Sequence, residues 1–130
     1  MLGSFLSAVV IISLLAIGCG GIVAPRIGAA QYGIVLDDRR SLAFLRAMAV
    51  RDLVIGGLLG LLALRASREA LGWGMGISVV VAALDFVLVV ADRRTALHPA
   101  PVGTRMAAPV LHAAGAAALV GTAAVLIAGW

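Results

Sequence analysis

Four long apolar runs, separated by three more polar connections, set the pattern of this chain. The runs cover about residues 5–24, 42–64, 71–91 and 108–129. A helix needs about 20 mostly apolar residues to cross a bilayer, and each run reaches that length. Their apolar residues are continuous rather than alternating, which favours helices over barrel strands. The pattern predicts an all-α, polytopic membrane protein, with residues 1–130 forming a single four-transmembrane-helix bundle.

Composition strengthens this prediction. Hydrophobic residues make up 63% of the chain and charged residues 12%, and the mean hydropathy is +1.16. An ordinary soluble domain is about half apolar and about a quarter charged. A domain of this size has too much surface for its volume to bury such an excess. The lipid bilayer is therefore the expected surrounding.

The basic residues indicate orientation. All ten are Arg, and the sequence pI is about 11.1; nucleic acid is nevertheless not an expected partner, because these residues flank or interrupt apolar runs. Six lie in the connections 25–41 and 92–107, whereas only Arg65 and Arg68 lie in the connection 65–70. This asymmetry predicts a multi-pass protein of the cell membrane, with both long connections in the cytoplasm and both termini outside. The first run lacks a preceding basic residue and is long for a signal peptide, which favours a retained helix.

Five ionisable residues fall inside the runs, where charge is costly and usually faces the bundle interior. Measured from the side of the long connections at 1.5 Å per residue, Arg46 lies about 6 Å deep, His112 about 8 Å and Asp85 about 10 Å. Arg51 and Asp52 lie about 14–15 Å deep on the same scale. All five therefore belong to the same half of the bilayer.

A helical wheel indicates where these side chains point. Asp52 shares its face with small residues, which mark close helix packing in membranes: Ala49, Gly56, Gly60 and Ala63. Asp85 shares a polar stripe with Ser78, and His112 also lies on a mostly small face. Arg51 lies 100° from Asp52 on an apolar face, so an ideal helix does not aim the two side chains together.

Two interpretations of this group remain open. The structural one is an ion-pair network that joins the second and third runs. The functional one is a polar cavity with Asp52, Asp85, Arg51 and His112 as its catalytic residues. Residues assigned to substrate binding are Arg46, Tyr32, Gln31 and Ser78. Taken alone, Arg46 is better explained as an interface anchor, and Tyr32 and Gln31 as solvated connection residues.

No cofactor or metal is expected. The chain has no zinc, P-loop, dinucleotide-binding or CxxC pattern, and its one cysteine, Cys19, excludes an internal disulfide. His112 and the two Asp residues are a poor metal set because the neighbouring Arg residues would repel a cation.

The run 44–57, FLRAMAVRDLVIGG, resembles the signature of a bacterial and fungal family of small four-helix membrane proteins, catalogued as a domain of unknown function. The segment Ala24–Arg26, the Leu71–Trp73 start of the third run, Asp85 and His112 also match its pattern. The resemblance covers nearly the whole chain, although residues 32–35 lack a Pro that the family has there. It implies the topology and supplies no reaction.

The first functional hypothesis is a cofactor-independent enzyme that acts on a lipophilic small molecule by acid–base chemistry. Of two carboxylates with an Arg between them, one can act as base and the other as acid. The set is similar in kind to that of soluble epoxide hydrolases of the limonene type. It suits a hydrolase that opens an epoxide, an isomerase or a cyclase.

Two other classes compete with this one. A small proton-coupled transporter of the multidrug type, working as a homodimer, fits the length of the chain and its four runs. Against it, two Arg residues at the depth of the acids disfavour a cation site, and the first run contains no acid. A non-catalytic membrane subunit would use the charges only to hold the bundle together.

Overall fold

A computed structural model describes the backbone of residues 1–32, 39–95 and 107–129, and the side chains of most of them. These ranges contain five helices and no strand: α1 Leu2–Val23, α2 Pro25–Tyr32, α3 Arg39–Arg65, α4 Arg68–Thr95 and α5 Ala107–Ile127. The predicted all-α class is confirmed, and each predicted run corresponds to one long helix. Helices α3 and α4 extend beyond their apolar runs at both ends, because Arg, Glu and Thr continue a helix once it is nucleated.

The short helix α2 was not predicted; residues 25–41 were expected to form a connection throughout. Ala24 ends α1 with φ −128° and ψ 65°, and its carbonyl accepts the backbone N–H groups of Ile27 and Gly28 at 3.0 and 3.1 Å. Pro25 occupies the first helical position, where its missing N–H costs nothing and its fixed φ suits a helix. Helix α2 has only 8 residues, so a search for apolar runs of about 20 residues overlooks it.

The four long helices surround a common axis in the order α1, α3, α4, α5. In the described part of the chain each long helix contacts two of the other three, and the most extensive pairs are α1 with α3 and α4 with α5. Helices α3 and α4 share a smaller interface, although only residues 66 and 67 separate them along the chain. A short link between helices makes them antiparallel neighbours.

Glycine allows the close approach of α1 to α3. A Cβ atom on Gly18 would lie 2.8 Å from the carbonyl oxygen of Ala49 and 2.9 Å from the backbone nitrogen of Leu53. A Cβ on Gly21 would lie 2.7 Å from the Ala49 Cβ. Backbone contacts of this kind leave room only for glycine, as in other tight helix pairs.

A hydrophobic core cluster lies in the half of the bundle that contains the α3–α4 link. Residues from all four long helices meet there: Ile11, Leu59, Leu71, Met75, Leu119, Ala123 and Leu126. Leu59 is 1% exposed and Met75 is fully buried. Much of the outer surface is apolar as well, with exposed Phe5, Ile12, Val54, Leu61, Ile77 and Val120 among others.

Two helices are long and apolar enough to cross a membrane, judged by length and composition. They are Leu2–Val23 and Ser41–Arg65, and a shorter apolar helical segment covers Ala113–Ile127. The length and composition of these two helices indicate membrane association.

Candidate functional site

An arginine on α3 joins two carboxylates from two helices. Arg51 Nη1 donates to Asp85 Oδ1 on α4 at 2.6 Å. Arg51 also donates to Asp52 Oδ1, from Nη2 at 3.1 Å and from Nε at 3.3 Å. The guanidinium therefore lies between Asp52 and Asp85 and forms a salt bridge to each.

The antiparallel pairing of α3 and α4 brings these residues to one level. Near the link, Gly74 faces Leu59 and Leu62: a Cβ atom there would lie 3.3 and 2.9 Å from their side chains. Moving away from the link along both helices from this contact leads to Arg51 on α3 and Asp85 on α4. These two of the five ionisable residues expected in the same half of the bilayer therefore lie side by side.

Asp52 points inward, as its small-residue face predicts, and is 7% exposed. The expected divergence of Arg51 from Asp52 is wrong. The 100° between adjacent residues applies to their Cβ atoms, whereas the long Arg side chain bends back so that Nε and Nη2 reach the neighbouring carboxylate. Asp52 also has a further interaction within the chain.

The three side chains of this site are largely buried but remain partly accessible to solvent. The side chains of Asp52 and Asp85 are 10% and 14% exposed, and that of Arg51 is 31% exposed. With both acids ionised, the three groups carry one net negative charge. All three described hydrogen bonds from Arg51 go to Oδ1 atoms, and the Asp85 bond leaves the Oδ2 of that residue for a second partner. The set can hold a proton, exchange it with a bound molecule and orient a polar group.

The other predicted site residues are placed less completely. Ser78 is partly buried on α4, and its hydroxyl donates to the Gly74 carbonyl at 2.9 Å. Arg46 is exposed on α3. Gln31 and Tyr32 belong to α2 and His112 to α5, but their side chains lie outside the described part of the structure.

Two buried hydroxyl groups were not singled out from the sequence. Ser7 donates to the Gly3 carbonyl at 2.6 Å and Thr122 to the Ala118 carbonyl at 2.8 Å. Each bond spans four residues of one helix, so each hydroxyl is satisfied locally. Among the described residues, no group of three or more His, Cys, Asp or Glu side chains is placed to hold a metal ion.

Comparison with known proteins and protein families identifies the family to which the chain belongs. No curated protein and no solved structure matches the chain. A family model described as "Domain of unknown function (DUF4267)" matches residues 12–126, which include all four long helices in whole or in part. The chain therefore belongs to the DUF4267 family, as its resemblance to a family of unknown function led us to expect.

Proposed function

We propose that the protein is an integral membrane protein in which α1, α3, α4 and α5 each cross the bilayer once. These helices have 22, 27, 28 and 21 residues, and at 1.5 Å per residue each is about as long as the hydrocarbon core is thick, or longer. Only 28% of the most apolar window of α1, and likewise of α3, is buried inside the molecule. The core helix of a soluble protein would be mostly buried, so lipid is the better surrounding for these faces.

Polar groups within the helices support the same proposal. The hydroxyls of Ser7, Ser78 and Thr122 each donate to a carbonyl of their own helix, which removes the need for water at those positions. The Arg asymmetry between the connections then assigns the long ones to the cytoplasm and the α3–α4 link to the outside.

Within this topology, the proposed activity is acid–base catalysis on a lipophilic small molecule. The observation that carries it is the contact of one guanidinium with carboxylates from two helices, at a site that remains partly accessible. Arg51 orients the two acids. Asp85, the slightly more exposed of the two acids, is the proposed acid–base group for the ligand, and Asp52 is its proposed partner.

Epoxide opening illustrates the proposed roles. One carboxylate takes a proton from water as the water oxygen bonds to an epoxide carbon, while the protonated carboxyl gives its proton to the epoxide oxygen as the C–O bond breaks. The product is a diol, and proton transfer between the two acids restores the starting state. His112 is proposed as an additional proton donor. Isomerisation and cyclisation need the same proton transfers.

A structural tie is the second candidate, because α3 and α4 otherwise share a small interface. In that case the ion pair between Arg51 and Asp85 only fixes the helices. A cation transporter is less well supported, since Arg51 occupies the position between the acids that a cation would need.

A charge-exchange experiment separates catalysis from the structural tie. The purified protein in detergent is offered lipophilic epoxides such as limonene oxide and styrene oxide, and diol formation is followed by mass spectrometry. Asp85→Asn should abolish turnover. The double variant Arg51→Asp/Asp85→Arg keeps opposite charges on the two helices, so it should recover thermal stability but not activity.

Glu69→Gln is the matched control, since it makes the same carboxylate-to-amide change at an exposed position of α4. It should leave turnover unchanged. If the wild type forms no diol and the charge exchange only restores the melting temperature, the structural tie is the better explanation.

A further inference from the structure

A cleft of about 410 Å³ opens at the end of the bundle that contains the α3–α4 link. All four long helices line it, through residues that include Ser4, Ser7, Ile11, Gly60, Arg68 and Leu126. Its volume lies within the range of about 300–1,000 Å³ that is usual for small-molecule pockets. It shares no lining residue with the group formed by Arg51, Asp52 and Asp85, so it is a separate feature.

The cleft changes in polarity from floor to mouth. Buried apolar residues form the floor: Ile11, Leu71 and Leu126 are 9%, 5% and 3% exposed. Ser67 and Arg68, both exposed, lie at the mouth. A molecule that fills this space therefore needs an apolar chain and a polar, negatively charged end.

Small residues keep the cleft open. A Cβ on Gly60 would meet only Ile11 Cγ2, at 3.6 Å, which is an ordinary contact. Ala8 and Ala63 line the same space. Larger side chains at these positions would fill it.

Charge at the mouth favours an anion. Arg65 and Arg68 are exposed within three residues of one another, and Glu69 is the one nearby acid on that stretch of sequence, so the net charge of residues 65–70 is +1. Arg68 also interacts within the chain. A guanidinium has five N–H donors and binds phosphate in bidentate fashion. The Arg68 side chain can therefore keep its interaction within the chain and bind a phosphate as well.

We infer that this cleft binds an anionic phospholipid, with one acyl chain between the helices and the phosphate at Arg68. The inference rests on the proposed membrane location and is independent of the proposed catalysis. A second copy of the chain is the competing occupant, and the test below distinguishes it from a lipid.

The test uses the full-length protein in detergent with phosphatidylglycerol and phosphatidylcholine of identical acyl chains. Native mass spectrometry should show one retained phosphatidylglycerol per chain and much less phosphatidylcholine. Arg68→Gln should weaken phosphatidylglycerol binding about tenfold, the size of one charge-assisted hydrogen bond. Ala63→Trp, which fills the cleft, should remove the binding of both lipids.

Matched controls lie elsewhere on the same helices or surface. Arg39→Gln alters an exposed Arg at the opposite end of α3, and Ala114→Trp adds the same bulk to an exposed position of α5; both should bind phosphatidylglycerol like the wild type. Equal retention of both lipids in every variant would show ordinary surface lipid and overturn the inference. A lipid-free dimer dissociated by Ala63→Trp would also overturn it.

The lipid-binding proposal and the acid–base proposal can be contradicted independently of each other. Asp85→Asn should lose turnover and retain phosphatidylglycerol, whereas Ala63→Trp should lose the lipid without any direct change at Arg51. Loss of folding is checked in each variant by its melting temperature and elution volume.

Discussion

Arg51 balances two acids that would otherwise repel each other inside a poorly hydrated space. Its bonds to Asp85 and Asp52, at 2.6 and 3.1 Å, place all three side chains within one cluster. Removing the cation from such a cluster leaves uncompensated charge, which costs more than removing one acid. The effects of substitutions here should therefore not add.

Arg51→Gln should lower the free energy of unfolding by about 2–4 kcal/mol, a value below the limit for fully buried pairs because the side chain is partly exposed. Asp85→Asn should lower the free energy of unfolding by less, and the double variant Arg51→Gln/Asp85→Asn should be more stable than Arg51→Gln alone. Thermal melting in detergent measures the series, with Arg39→Gln as an exposed control. Additive losses would contradict the three-residue cluster.

Gly18 offers a second test at this scale. In Gly18→Ala the new Cβ would lie 2.8–2.9 Å from backbone atoms of α3, so the helices must separate, at a cost of about 1–3 kcal/mol. Gly20→Ala is the matched control, because nothing lies within 4 Å of a Cβ there. Circular dichroism melts should show a loss for the first variant only; equal melting temperatures would mean that α1 and α3 are not packed so closely.

At the scale of the elements, the link between α3 and α4 sets which residues face each other. Only residues 66 and 67 connect the helices, and Arg51 and Asp85 lie 14 and 17 residues from the adjoining helix ends, about 21 and 26 Å away at 1.5 Å per residue. These distances agree closely enough for a long Arg side chain to close the gap. A change in the link would shift both helices relative to one another.

Ser67 stabilises the start of α4 at this link. Its hydroxyl oxygen accepts the backbone N–H of Ala70 at 3.1 Å, which is the bond of an N-cap. Ser67→Ala should lower stability by about 1 kcal/mol, and Ser67→Asp should retain the cap. Hydrogen exchange at Ala70 and Leu71 should speed up in the first variant and stay slow in the second; exchange that is unchanged in Ser67→Ala would remove the capping role.

For the whole molecule, the proposed topology places the two ends of α3 on opposite sides of the membrane. With Cys19 replaced by Ala, the variants Arg39→Cys and Arg65→Cys each carry one exposed thiol. An impermeant maleimide applied to intact cells should label Arg65→Cys and should label Arg39→Cys only after permeabilisation. Labelling of both in intact cells would contradict a spanning α3, and the reverse pattern would invert the orientation.

The sequence by itself determined the four long helices and the inward face of Asp52. Both depend on local properties: a continuous apolar run favours helix, and small residues at helical spacing mark the packed side. The prediction that Asp52 and Asp85 lie in the same half of the bilayer also followed from counting residues along helices of known rise.

Only the tertiary structure decided the contacts between these elements. Single-helix periodicity does not state which helices become neighbours. A helical wheel locates Cβ atoms rather than the ends of long side chains, so the wheel missed the bonds from Arg51 to Asp52, although an ion-pair network between the second and third runs was one of the two interpretations of the sequence. The cleft near Arg68 was missed for the same reason, because it is formed by four helices and marked on none of them. Helix α2 is stabilised by Pro25 at its start and by packing against α1, where Gly28 approaches Gly21, and neither contact leaves an apolar run in the sequence.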